Sequence, residues 1–137
     1  MRERQTAPVR REVRAIISRH RGELLVLRPF ADDEATWELP GAPLAAHAES
    51  EQALRAACLT TLGVDVPEFT LIPPIRVGLG GETVEYHFGL ARLDADNALP
   101  LGCAELRWVR RERLALLAFE PAIARLLLGD LLGQLPA

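Results

Sequence analysis

The side chains best able to carry chemistry are scattered along this 137-residue chain. Its histidines lack the spacing of a metal-binding set; they are His20, His47 and His87. The two serines, Ser18 and Ser50, lack the histidine and acid setting of an activated nucleophile, and Ser50 is better explained as a helix cap. The glycine-rich stretch 78–81 lacks the Gly-Lys-Ser/Thr ending of a phosphate-binding loop. Residue types alone therefore predict no catalytic group.

Cysteine and acidic side chains add no clear site. Cys58 falls on the apolar stripe of a predicted helix and is expected in the core, whereas Cys103 falls in a loop without an activating partner. Both are expected as free thiols. The acidic run Asp32-Asp33-Glu34 is more typical of a solvated loop than of a cation site.

The first half of the chain predicts a β-hairpin followed by a helix. Residues 13–18 and 23–27 are β-rich runs, and Gly22 in the link between them suits a turn. Residues 50–62 repeat apolar side chains at helical spacing. Ser50 is expected to cap this helix, and Gly63 is expected to end it in a left-handed conformation.

The second half predicts strands and a closing helix. Pro73-Pro74 interrupts a strand over residues 69–77, which is typical of a sheet edge or a bulge, and the glycines of 78–81 form a turn. Residues 82–93 alternate with period two, which places Val84, Tyr86, Phe88 and Leu90 on one face. A loop over 94–104, a strand over 105–109 and a Leu-rich helix over 121–132 follow. The order of elements predicts an α/β (α+β) fold in which a mixed sheet lies between helices.

Composition and charge exclude several classes of protein. Hydrophobic residues make up 49% and charged residues 26%, which predicts one globular domain over residues 10–137 after a flexible arm over residues 1–9. No apolar run approaches the ~20 residues that span a bilayer, and the first residues do not resemble a signal peptide, so a cytoplasmic protein away from membranes is expected. The net charge is −3 and the main body is acidic, so no nucleic-acid partner is expected.

The segment WELPGAPLAAHAESEQALRAACLTTLGV, from Trp37 to Val64, resembles the signature of the Nudix (MutT-like) hydrolases. That family pattern is G-x5-E-x7-R-E-U-x-E-E-x-G-U, usually after a W-x-x-P-G lead-in. The alignment needs no gap and is anchored on Trp37, Pro40, Gly41, Gly63 and Val64. The resemblance covers roughly residues 10–132 and implies an α/β/α sandwich with a mixed sheet, in which residues 37–64 form a loop, a helix and a loop.

The catalytic positions of that pattern carry no carboxylate in this chain, so its Nudix box is degenerate. The residues that stand in place of the first glutamate, the arginine, the next glutamate and the paired glutamates are Ala48, Ala56, Ala57, Thr60 and Thr61. A shift of one residue brings His47 and Arg55 into the pattern but leaves Leu59 and Thr60 at the paired positions. Neither register restores a carboxylate on the helix.

The resemblance implies that glutamates on one helical face hold Mg²⁺, which neutralises pyrophosphate and activates water. Methyl and hydroxyl groups at those positions supply no anionic ligand, so no metal and no other cofactor are expected. Glu105 stands before Trp108, where some relatives place a general base, and is the best replacement carboxylate. The resemblance also implies a nucleotide cleft, which the side chains of four residues could line: Arg28, Phe30, Arg76 and Tyr86.

Two functions remain open at this point. The first is a non-catalytic domain, a pseudoenzyme that binds a nucleotide-derived small molecule or a protein partner. The second is a divergent Nudix hydrolase that uses replacement ligands and Mg²⁺ to cleave a nucleoside diphosphate linked to another moiety. A titration with Mg²⁺ or Mn²⁺ separates them, since only the second protein should respond. The Leu-rich helix over 121–132 is also compatible with a homodimer.

Overall fold

The backbone of the chain, in a computed structural model, forms a seven-stranded sheet flanked by helices. The structure describes residues 9–29, 36–93, 97–119 and 121–126. The strands are β1 (Val9–Arg19), β2 (Glu23–Arg28), β3 (Gly41–Pro43), β4 (Thr70–Leu71), β5 (Ile75–Leu79), β6 (Glu82–Arg92) and β7 (Glu105–Arg110). The helices are α1 (Ser50–Leu62) and α2 (Pro121–Leu126), and two 3-10 segments span His20–Gly22 and Arg111–Leu116.

β1 is the strand around which the sheet is built. It pairs in parallel with β6, from Val9 opposite Thr83 to Ser18 opposite Arg92, and antiparallel with β2 and β3. β2 continues the sheet to β7, and β4 and β5 both pair antiparallel with β6. The expected α/β fold with a mixed sheet is confirmed.

Alternate side chains of the sheet enter two cores, one on each face. On the face that we call the α1 face, Val13, Ala15 and Ile17 of β1 belong to one cluster with residues of α1, namely Leu54, Cys58 and Leu62. On the opposite α2 face, Ile16 belongs to a second cluster with Tyr86, Phe88 and Ile123 of α2. The period-two pattern of residues 84–90 is confirmed, since Val84 and Leu90 also lie on the α2 face. The sheet thus lies between two helical layers.

Helix α1 has the bounds that the sequence predicts. Gly63 ends it with φ 69°, and its N–H group donates to the carbonyl oxygen of Leu59 at 3.0 Å. The prediction that Ser50 caps this helix is wrong. Glu49 is the N-cap residue, and its side chain makes no cap hydrogen bond. Ser50 is already helical, and its hydroxyl lies 3.2 Å from Nδ1 of His87 on β6.

Several boundaries differ from the sequence expectation. Val9, the last residue of the expected arm, is the first residue of β1, and residues 1–8 lie outside the described residues. The turn after β5 is narrower than expected and consists of Gly80-Gly81, with φ of 53° and 83°, which is the pattern of a two-residue hairpin. Pro73-Pro74 separates β4 from β5, as expected. The expected helix beyond residue 126 also lies outside the described residues.

The presence of glycine at position 41, in the lead-in, has a steric explanation. Gly41 on β3 pairs with Arg14 on β1, and a Cβ atom at Gly41 would clash with the carbonyl oxygen of Val13. Any other residue there would push β3 away from β1 and displace the loop that precedes α1. Within the described residues, no helix has both the length and the apolar character needed to cross a membrane.

Candidate functional site

The face of α1 that would carry metal-binding carboxylates is only partly open to solvent. Ala57 is 7% exposed, whereas Ala56 and Thr60 are exposed and Thr61 is half-buried. Ala48 is exposed in the loop before the helix, where its N–H group donates to the carbonyl oxygen of Ala45 at 3.1 Å. This part of α1 therefore offers a ligand only methyl and hydroxyl groups, from Ala56, Ala57, Thr60 and Thr61.

The loop before β7 packs against the C-terminal end of α1. The N–H group of Leu99 donates to the carbonyl oxygen of Leu62 at 2.9 Å, and those of Leu101 and Gly102 donate to Thr61 at 3.1 and 3.0 Å. These bonds satisfy carbonyl groups that a helix end leaves without intrahelical partners. A Cβ atom on Gly102 would lie 3.1 Å from Cα of Thr61, so the loop lies directly against the Thr60-Thr61 segment.

The donors present do not fit a Mg²⁺ ion. Mg²⁺ requires hard oxygen ligands in octahedral geometry and normally takes carboxylates from the protein. In the part of the chain that the structure describes, no group of three or more His, Cys, Asp or Glu side chains is placed to hold a metal ion. Thr60 and Thr61 are neutral, and they cannot supply the missing anionic charge.

Glu105, the best replacement carboxylate, is held by two arginines. Arg28 Nη2 lies 2.8 Å from its Oε1, and Arg107 Nη2 lies 2.9 Å from its Oε2. The hydrogen bond from Arg107, with the charges of Arg107 and Arg28, lowers the pKa of the Glu105 carboxyl. A general base near neutral pH works best with a pKa close to the operating pH, so this carboxylate is a weak base.

The same two arginines lie over an aromatic ring. Arg107 Cζ is 4.8 Å and Arg28 Cζ is 5.4 Å from the ring centroid of Trp37, and both distances are within the range of a cation–π contact. Trp37 is 8% exposed and belongs to the core of the α2 face. We call Arg28, Trp37, Glu105 and Arg107 the Trp37 cluster.

A cavity of about 400 Å³ lies beside this cluster, at the free side of β7. Three arginines contribute to its wall, namely Arg107, Arg110 and Arg113. The wall also includes Trp108, Leu116 and Leu117, and one acid, Glu23, which is paired with Arg19 at 2.7 Å. A guanidinium-rich wall with apolar neighbours suits an anion that carries an apolar group.

Of the four residues expected to line a nucleotide cleft, the structure describes three, and it does not place these three in one cleft. Arg28 lies on the α2 face, whereas Arg76 on β5 lies on the α1 face, where its Nη2 is 3.3 Å from Oε2 of Glu85. Tyr86 is fully buried and stacks on Phe88 with ring centroids 5.6 Å apart, so its ring is part of the core. Phe30 lies outside the described residues. Of the three described residues, Arg28 belongs to the Trp37 cluster, and Arg76 and Tyr86 do not.

Sequence reasoning missed two groupings. Trp37 entered it only as an anchor of the family resemblance, and Arg107 only as part of the predicted strand over 105–109. The alternation of β2 and β7 nevertheless places Arg28, Glu105 and Arg107 on one face. The contact between Ser50 and His87 joins a helix to a strand 37 residues further on, and no spacing rule in the sequence indicates it.

Solved structures resemble this chain closely in backbone. The ORF135 protein of E. coli is 20% identical, with a TM-score of 0.75 over 93% of this chain and 91% of that one. A MutT protein from Methanosarcina mazei is 20% identical, with a TM-score of 0.73 over 90% and 93% of the two chains. A Nudix hydrolase from M. smegmatis is 24% identical, with a TM-score of 0.68 over 97% and 90%.

Comparison of the sequence with protein-family models and with curated proteins gave no match. The structural likeness covers 93% of this chain and 91% of the ORF135 protein, and 90% and 93% for the MutT protein. The chain therefore has the fold of the MutT and Nudix hydrolases.

Proposed function

We propose that this chain is a Nudix-fold domain that binds a nucleotide derivative without metal-dependent hydrolysis of a pyrophosphate bond. The observation that carries the proposal is the donor chemistry of α1, where Ala57, Thr60 and Thr61 stand in place of carboxylates. Without anionic ligands, the helix does not hold a metal ion that would neutralise the charge of a pyrophosphate and lower the pKa of an attacking water.

The state of Glu105 supports the same conclusion. A replacement base would have to accept a proton, but two guanidinium groups favour the ionised form of this carboxyl. The side chain is better suited to hold Arg28 and Arg107 in place than to remove a proton from water. The Trp37 cluster is then a rigid support beside the cavity rather than a catalytic centre.

The cavity beside β7 supports binding of an anion. Arg110 and Arg113 are exposed, and no ion pair is recorded for either within residues 9–29, 36–93, 97–119 and 121–126. Guanidinium groups bind phosphate oxygens in a bidentate manner, and Leu116 and Leu117 offer an apolar surface for a base or sugar. A nucleoside diphosphate derivative combines phosphate groups with a base. It also agrees with the expectation, from the sequence, of a nucleotide-derived ligand and a cytoplasmic protein.

The test is a thermal-shift screen with nucleoside diphosphate derivatives, with and without Mg²⁺. A ligand at 100 times its Kd stabilises the native state by about 2.7 kcal/mol. We expect the increase in melting temperature to be the same without Mg²⁺ and to be lost in the variant Arg110→Ala/Arg113→Ala. Arg55→Ala is the matched control, because Arg55 is exposed on α1 and its one ion pair among the described residues is with the exposed Asp65.

Two results would contradict the proposal. One is the release of a nucleoside monophosphate from such a ligand when Mg²⁺ is present, which would favour the divergent hydrolase. The other is the absence of any stabilisation across the ligand set, which would favour a protein partner instead.

A further inference from the structure

A serine, a histidine and a glutamate lie next to one another at the start of α1. Ser50 Oγ lies 3.2 Å from Nδ1 of His87, and Nε2 of His87 lies 3.2 Å from Oε1 of Glu85. His87 and Glu85 are alternate residues of β6 on the α1 face, and Ser50 is the first residue of the helix that covers this face. The nucleophile setting that the sequence does not indicate is thus assembled by the packing of α1 on β6.

We propose that Ser50 is the nucleophile of an acyl-transfer site, with His87 as its general base and Glu85 as the residue that positions His87. This activity lies beyond nucleotide binding and does not depend on it. A nucleophile within hydrogen-bond distance of a base, which is itself held by a third group, is the arrangement that activates a hydroxyl.

The charge of Glu85 influences which ring nitrogen of His87 carries the proton. For Nδ1 to accept the proton of Ser50 Oγ, the ring proton must be on Nε2. The negative charge of Glu85, 3.2 Å from that nitrogen, favours this tautomer electrostatically, although Nε2 makes no hydrogen bond with any residue that the structure describes. The other oxygen of Glu85 lies 3.3 Å from Arg76 Nη2 and 3.5 Å from Arg11 Nε. These two guanidinium groups contact Oε2, which leaves Oε1 on the side of His87.

The surroundings provide a place for a substrate. A cavity of about 340 Å³ is lined by Ser50, His87, Leu71, Ile72, Pro73 and Pro74. Its wall is apolar apart from the serine and the histidine, so an ester with a small apolar acyl group is the chemical class that fits. The N–H groups of the first turn of α1 precede the first intrahelical bond, from Ala53 to Glu49, and the helix has no side-chain cap. They are suited to stabilise a developing oxyanion.

The reaction balances without any cofactor. Ser50 Oγ attacks the carbonyl carbon of the ester, its proton passes to His87 Nδ1, and that proton then leaves with the alkoxide as an alcohol. The acyl group is left on Oγ. Water attacks it, Nδ1 takes a proton from the water and returns it to Oγ, and a carboxylic acid is released.

An alkyl fluorophosphonate provides a decisive test, because it phosphonylates activated serines with loss of fluoride and leaves ordinary serines unmodified. The chain contains two serines, Ser18 and Ser50. Ser18 is buried, and its hydroxyl lies 3.4 Å from the carbonyl oxygen of Ala91, so it provides a matched control. We expect one phosphonyl group in the intact mass of the wild type and of Ser18→Ala, mapped to Ser50, and none in Ser50→Ala.

The roles of the partners are tested by labelling rates. His87→Gln should reduce the rate at least about 100-fold, as expected for loss of a general base. Glu85→Gln should reduce the rate less and should change the pH profile of labelling, which a merely structural residue would not do. Circular dichroism verifies that each variant is folded. If His87→Gln does not fold, the comparison of wild type with Ser50→Ala still shows whether Ser50 is the activated nucleophile.

The proposal is overturned if folded wild-type protein is not phosphonylated at Ser50, or if His87→Gln reacts as fast as the wild type. Nucleotide binding in the thermal-shift screen is independent of either result, so the two proposals can fail separately.

Discussion

Arg28 and Glu105 lie opposite each other in the register of β2 and β7, and Arg28 Nη2 is 2.8 Å from Glu105 Oε1. This ion pair ties the loop before β7 to the end of β2, since the carbonyl oxygen of Arg28 also accepts the N–H group of Ala104 at 2.9 Å. This pair of residues therefore joins the Trp37 cluster to the point where the loop over the end of α1 ends and β7 begins.

Glu105→Gln should lower the free energy of unfolding near neutral pH. The pKa of Glu105 is lowered in the folded state, chiefly by the hydrogen bond from Arg107, so the ionised carboxylate stabilises the fold. That stabilisation is complete above the unfolded-state pKa of about 4.3 and is lost as the pH falls through the lowered folded-state pKa. Urea unfolding of both proteins as a function of pH measures it.

The matched control for this effect is Glu68→Gln, because Glu68 is exposed and takes part in no recorded ion pair of the described residues. This control variant should unfold like the wild type at every pH. A constant difference between wild type and Glu105→Gln from acid to neutral pH would show that the ion pairs do not act through this carboxylate.

The triple variant Ala57→Glu, Thr60→Glu and Thr61→Glu should respond to Mn²⁺, whereas the wild type should not. The three positions share one helical face, and glutamate has a better helix propensity than threonine. Ala57 is 7% exposed, so an unpaired carboxylate there is desolvated and the variant is less stable without metal. Melting temperatures with and without Mn²⁺ measure the difference.

Thr60→Glu/Thr61→Glu, which leaves the buried Ala57 intact, serves as the milder companion variant. Equal melting temperatures of the triple variant in the presence and absence of Mn²⁺ would show that this face of α1 cannot form a cation site. Hydrolytic activity need not return, because Ala48 and Ala56 are unchanged in both variants.

Gly89→Ala should destabilise the protein by about 1–3 kcal/mol, which is typical of an overpacked core. A Cβ atom at Gly89 on β6 would lie 2.5 Å from Cδ1 of Leu54 and 3.0 Å from Cδ1 of Phe69. Gly78→Ala is the control, because a Cβ atom at Gly78 on β5 meets nothing within 4 Å. Chemical denaturation gives both values, and equal stability of the two variants would mean that α1 can move away from β6 at little cost.

The two thiols should differ in reactivity towards iodoacetamide. Burial raises the pKa of the Cys58 thiol to about 12, and Cys58 packs between α1 and the sheet. Burial also raises the pKa of Cys103, but that side chain is half-exposed. We expect slow alkylation of Cys103 near pH 8 and alkylation of Cys58 only after unfolding. Mass spectrometry of the modified peptides checks this, and native labelling of Cys58 would contradict it.

The sequence was sufficient to predict the elements whose patterns are local. The apolar repeat of residues 50–62, the alternation of 82–93 and the paired prolines 73–74 each act within a few residues, and each predicted the observed element. The prediction that Ser50 caps α1 was wrong, because the sequence does not show that the Ser50 side chain turns towards β6 and contacts His87.

The candidate site was harder to predict from the sequence, because its contacts join residues that are distant in the chain. The Trp37 cluster needs the pairing of β2 with β7, and 77 residues separate Arg28 from Glu105. A spacing rule cannot show which face of a strand a side chain occupies unless the pairing partners are known. Arg28 and Arg76 were therefore expected in one cleft, although the sheet separates them.

The parallel pairing of β1 with β6 has a consequence for how the protein folds. Val9 pairs with Thr83, 74 positions later in the chain, so the central strand gains its longest ladder only after a large loop has closed. Closure of such a loop carries an entropic cost, and chains dominated by distant pairings fold slowly for their size. During synthesis, the β1–β2 hairpin can form early, but one edge of β1 stays uncovered until residues 82–92 have left the ribosome.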